Sequence, residues 1–66
     1  MEMQEMLKKL RENNNLTQEQ MAERLMVTRQ AISRWENGET QPNTETLKLL
    51  SREFNVSINT LLGSPR

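Results

Sequence analysis

Arg29, Gln30, Ser33 and Arg34 are the residues whose types and spacing could do chemistry in this chain. Arginine can pair in bidentate fashion with O6 and N7 of guanine, glutamine with N6 and N7 of adenine, and serine with several base edges. No rival chemistry has its parts. Histidine and cysteine are absent, and no glycine-rich loop could cradle a phosphate. Ser33, Ser51, Ser57 and Ser64 have no base to activate them. Glu19 and Glu23 stand one helical turn apart, but beside Arg24 and in solvent. An enzyme is therefore not expected, nor is a cofactor or a metal site of the cysteine/histidine kind.

The elements that must hold these residues announce themselves at their starts. Leu16-Thr17 is followed three residues after Thr17 by Gln20, the spacing of a capping box, and Leu16 and Met21 fit the two positions of a hydrophobic staple. Val27-Thr28 repeats the signal, with Ile32 as the staple partner. The two caps are eleven residues apart, which leaves about two turns of helix and a turn of about three residues. That is the geometry of a helix-turn-helix, spanning roughly residues 17–37.

Around this pair the apolar spacing predicts further helices. Met3, Met6, Leu7 and Leu10 make an amphipathic stripe that Asn13-Asn14-Asn15 ends. The second helix is predicted over Gln18 to Leu25, burying Met21, Ala22 and Leu25. The third is predicted over Arg29 to Asn37, burying Ala31 or Ile32 together with Trp35, and capped by Gly38. After a loop around Pro42, Asn43 caps a fourth helix with the stripe Leu47, Leu50 and Phe54, stopped by Asn55. Val56-Ser57 gives the cap signal a third time, predicting a short fifth helix from Ile58 to Leu62 before Gly63 and Pro65. The fold class expected is all-α: a compact domain of five helices occupying residues 1–66.

The pattern Leu-Thr-Gln-Glu-x-x-Ala…Leu-x-Val-Thr-Arg-Gln-x-Ile-Ser-x-Trp-Glu-x-Gly, continued through Pro42, Leu47, Leu50, Phe54-Asn-Val-Ser57 and Leu61-Leu62, resembles the Cro and lambda-repressor-like (XRE-type) DNA-binding domains of bacterial and phage regulators. The resemblance covers nearly the whole chain. It implies base contacts from Arg29, Gln30 and Arg34, with Ser33 beside them, and a phosphate contact from Gln18 at the start of the second helix. Thr28, Asn37 and Asn43 are further candidates for the DNA backbone, although each would also serve as a cap. It further implies a salt bridge between Arg11 and Glu36, and two-fold homodimers on palindromic operators, with recognition helices about 34 Å apart. The function implied is a sequence-specific transcriptional regulator, acting as a repressor on double-stranded DNA. The alternative is an antitoxin or adaptor-type interaction module in which DNA binding is secondary. Two residues depart from the family pattern. Met26 stands where the family usually has glycine, and is expected to take positive φ while its flexible side chain packs on a neighbour. Glu39 stands where a basic residue is frequent.

Composition sets the bounds on this reading. The chain has 66 residues, with nine basic and nine acidic side chains and a net charge of zero. A DNA-binding domain is ordinarily basic. Here the distribution matters more: from Thr28 to Trp35 there are two arginines and no acid. Scattered apolar residues exclude a transmembrane run or a signal peptide, so a cytoplasmic location without membrane contact is expected. Trp35 falls on the Ile32 face and reads as core. Met1 and Met26 apart, so do the methionines. Leu49 lies off its helix stripe and could seed a dimer patch. Ending just past its last expected helix, the chain leaves room for a further effector domain or protein partner.

Overall fold

The computed structural model describes residues 3–57 and residue 59. Helix α1 spans Met3–Asn13, α2 Gln18–Leu25, α3 Arg29–Glu36 and α4 Thr44–Phe54. Helix α3 packs against both α1 and α2, and α4 packs against α2. The expected five helices are corrected to four among the described residues. The segment expected to form the fifth, Ile58 to Leu62, lies outside the described residues apart from Asn59. That expectation rested on a cap at Ser57 and a stop at Gly63, with five residues between them.

Each of the last three helices is started by the side chain predicted for it. Thr17 Oγ1 accepts from the Gln20 N–H at 3.1 Å while Gln20 Oε1 accepts from the Thr17 N–H at 2.8 Å, closing the capping box. Thr28 Oγ1 accepts from the Ala31 N–H at 3.1 Å, and Asn43 Oδ1 from the Thr46 N–H at 2.9 Å. The helix ends follow one rule as well. Asn15, Met26, Gly38 and Asn55 all have φ between 56° and 79°, the left-handed region. After each of them the next N–H reaches back five residues: Leu16 to Arg11, Val27 to Ala22, Glu39 to Arg34 and Val56 to Ser51, at 2.9–3.2 Å. This 6→1 bond is the mark of the Schellman motif. It explains the repeated apolar-then-hydroxyl signal in the sequence. Leu16, Val27 and Val56 close one helix with their N–H, pack half-buried on the core, and precede the hydroxyl residue that follows.

The core is built from all four helices: Leu7; Met21, Ala22 and Leu25; Ile32 and Trp35; Leu47 and Leu50. It contains no buried polar side chain among the described residues. Of the predicted α1 stripe only Leu7 is fully buried; Met3 and Leu10 pack at its margin, and Met6 is half-buried without joining the cluster. Gly38 is required by its φ of +79°, which a residue with a Cβ rarely adopts; the Gln4 side-chain end that lies over it is flexible enough to move aside.

Met26 has φ 57° and ψ 41°, as expected, but its side chain is 82% exposed and packs on little. A residue with a Cβ in this conformation is disfavoured by roughly 1–2 kcal/mol, and burial does not offset it here. Glycine would lose about 0.4–1 kcal/mol through its freer unfolded chain. Met26→Gly is therefore expected to raise the thermal midpoint by a few degrees, since about 1 kcal/mol moves a domain of this size by roughly 4–8 °C. A lower midpoint in a calorimetric scan would overturn the strain argument.

Candidate nucleic-acid interface

The two caps fix where α2 and α3 begin, and with them the backbone that carries Gln18 and the predicted α3 residues. Within α3, Ile32 and Trp35 turn inward while Arg29, Gln30 and Arg34 are exposed and Ser33 is half-buried. These four residues fall at i, i+1, i+4 and i+5, one continuous stripe along the helix. No hydrogen bond or ion pair within the described residues engages the Arg29, Gln30 or Arg34 side chains. Among the described residues, nothing competes with a ligand for their donors.

Thr28 and Asn43 are exposed, and each spends its side-chain oxygen on its own helix start. What they retain for a further acceptor is the Thr28 hydroxyl hydrogen and the Asn43 amide nitrogen. Asn37, also exposed, is the C-cap of α3, which ends one residue earlier than predicted. At the start of α2 the Gln18 and Glu19 N–H groups precede the first capped one, at Gln20, and so have no partner within the helix. Together with the positive end of the helix dipole they form a place for an anion.

Arg11 and Glu36 join α1 to α3. Arg11 Nε donates to Glu36 Oε2 at 2.7 Å and Arg11 Nη2 to Glu36 Oε1 at 3.1 Å, a bidentate pair. The side chains are only 14% and 5% exposed. The hydrogen bond and charge of Glu36 hold the guanidinium above its usual range, against burial, which acts in the opposite direction. Two more contacts enlarge the pair into a network: Arg11 Nη1 donates to the Leu16 carbonyl at 2.9 Å, and Gln18 Nε2 donates to Glu36 Oε1 at 3.1 Å. Sequence reasoning had treated Gln18 only as a phosphate ligand. Its bond to Glu36 spans 18 residues, and no local pattern signals it. The guanidinium of Arg24 over the Phe54 ring, 5.7 Å from its centre, was equally unforeseen and ties α2 to α4.

Residues 7–61 match the family model described as helix-turn-helix. The chain belongs to the helix-turn-helix family. It is 55% identical over 63 residues to the HTH-type transcriptional activator BcrR of Enterococcus faecalis, covering 96% of this chain and 31% of that protein. It is 33% identical over 60 residues to the antitoxin PezA of Streptococcus pneumoniae, covering 91% of this chain and 38% of PezA. A crystal structure of a transcriptional regulator from Listeria innocua superposes with a TM-score of 0.91 at 32% identity, over 98% of this chain and 61% of that one. This helix-turn-helix chain thus spans about a third of the two curated relatives named.

Cutting a nearly buried ion pair strands the surviving charge, at a cost of about 3–5 kcal/mol where burial is complete. Removing an exposed acid such as Glu12 typically costs less than about 0.5 kcal/mol. Glu36→Ala is therefore expected to lower the urea midpoint far more than Glu12→Ala. Equal midpoints for the two variants would mean that the bridge contributes nothing.

Proposed function

We propose that this helix-turn-helix chain is the sequence-reading domain of a DNA-binding transcriptional regulator. It enters the major groove with the N-terminal turns of α3. The observation that carries the reading is the acid-free stripe of exposed Arg29, Gln30 and Arg34 with half-buried Ser33, mounted on a helix whose start is fixed by Thr28. Arg29, Gln30 and Arg34 read base edges, with Ser33 between them. Gln18 and the free N–H groups at the start of α2 take a backbone phosphate, and Thr28, Asn37 and Asn43 are further contacts to the DNA backbone. The domain works as a homodimer on palindromic operators, with two recognition helices about 34 Å apart so that both face the same side of the duplex.

Repression is the sign proposed, because occupancy of a site that overlaps a promoter is enough to cause it. The match to the activator covers only 31% of that protein, so its sign of action is not carried over. Among the described residues no helix is long and apolar enough to cross a membrane, and the proposed place of action is the cytoplasm, with the DNA. A second reading is an antitoxin or adaptor-type module that uses the same fold mainly to hold a protein partner, and it is favoured by the likeness to PezA. Selection from random duplexes followed by gel shift separates the two: a defined palindromic consensus supports the first, and no enrichment supports the second.

On the selected site, Arg29→Ala, Gln30→Ala and Arg34→Ala are each expected to cost roughly 1–3 kcal/mol and to relax the preference at one base pair. Gln18→Ala should weaken all sequences alike. Wild-type affinity in the three α3 variants, measured by fluorescence anisotropy, would remove these residues from the reading.

A further inference from the structure

Glu36, its side chain 5% exposed at the end of α3, receives three donors at its carboxylate: Arg11 Nε and Nη2, and Gln18 Nε2. It is tied to the start of α2 by two routes. One is the direct bond to Gln18. The other runs through Arg11, whose Nη1 holds the carbonyl of Leu16, the residue before the Thr17 cap. A glutamine amide can present either its oxygen or its nitrogen to a neighbour. An ionised carboxylate only accepts, so only the nitrogen can face Glu36. That settles the orientation of an amide which, at a half-buried helix start, would otherwise be free to turn. One of the two Nε2 hydrogens is used at 3.1 Å, and the other remains a donor.

We propose that Glu36 is a positioning residue for phosphate at the start of α2. It holds Gln18 in the one amide orientation that offers a hydrogen to an anionic oxygen alongside the free backbone N–H groups of Gln18 and Glu19. The proposal rests on the reading of Gln18 as a phosphate ligand. A carboxylate near a phosphate would repel it, and the bidentate contact of Arg11 offsets that charge. The brace between α1 and α3 and the grip on DNA of any sequence are then parts of one network.

The test is a double-mutant cycle on the full chain with a random-sequence duplex: wild type, Glu36→Gln, Gln18→Ala and the double variant, each checked for folding by circular dichroism. Removing a negative charge strengthens general DNA binding in both backgrounds, and the cycle cancels that effect. Glu36→Gln is expected to lower affinity about three- to tenfold more with Gln18 present than with Gln18→Ala, a coupling typical of residues in contact. The Gln18 side-chain amide resonance should also change from rigid to mobile in Glu36→Gln. Equal effects in the two backgrounds, or an amide equally rigid in both proteins, would overturn the positioning role and leave the DNA reading standing. A wild-type chain that binds no duplex would overturn the DNA reading, and this proposal with it. If Glu36→Gln does not fold, Glu36→Asp takes its place, keeping the charge but shortening the reach by one methylene.

Discussion

The position of α3 depends on one carboxylate. Glu36 sits almost out of water at the end of that helix, and such a charge is tolerable only with its lone pairs filled. Arg11 fills two sites from α1 and Gln18 a third from α2. Because Arg11 also holds the Leu16 carbonyl, the network grips the chain just where α2 begins. The apolar core would hold three helices together in many neighbouring arrangements, since burial is non-directional. Hydrogen bonds of 2.7–3.1 Å are directional, and they select one angle and one register for α3.

That selection matters because the stripe Arg29, Gln30, Ser33 and Arg34 has no support of its own beyond the helix that carries it. Three of its side chains are long, and nothing within the described residues holds those of Arg29, Gln30 or Arg34. What can be preorganised is the backbone beneath them. The Thr28 cap fixes one end of α3 and the Glu36 network the other, while Ile32 and Trp35 anchor the middle in the core. On the proposed reading, long flexible side chains on a rigid mount would keep specificity in the side chains and precision in the frame.

Much of this frame was legible in the sequence because it is written in local terms. A hydroxyl or amide residue at a cap and apolar residues three or four apart decide a helix within one or two turns, and α2, α3 and α4 start where those signals stand. Asn15 and Asn55 stop helices for an equally local reason, their tolerance of the left-handed conformation. Non-local facts were less legible. Met6 fits the α1 stripe by spacing, yet it lies outside the core cluster, because spacing alone does not say how wide a face its neighbours cover. Met26 took the expected conformation without the expected packing, since local sequence fixes a backbone turn but not what lies beside it. The bond from Gln18 to Glu36 required a tertiary neighbour that no pattern names.

Charge adds a last constraint on the proposed reading. Nine basic and nine acidic residues cancel, and the network spends Arg11 on Glu36 rather than on a ligand. Attraction to the DNA backbone, which supplies most non-specific affinity, is therefore small for the chain as a whole. Affinity must come from base edges, where each good bidentate contact contributes roughly 1–3 kcal/mol of discrimination and one short helix offers only a few. A single copy would bind its half-site weakly. Joining two copies makes the second contact intramolecular and multiplies affinity without any new contact to bases. On the proposed reading, neutrality would shift the load from electrostatics to pairing of subunits, and would keep the preference for the right sequence over random DNA high.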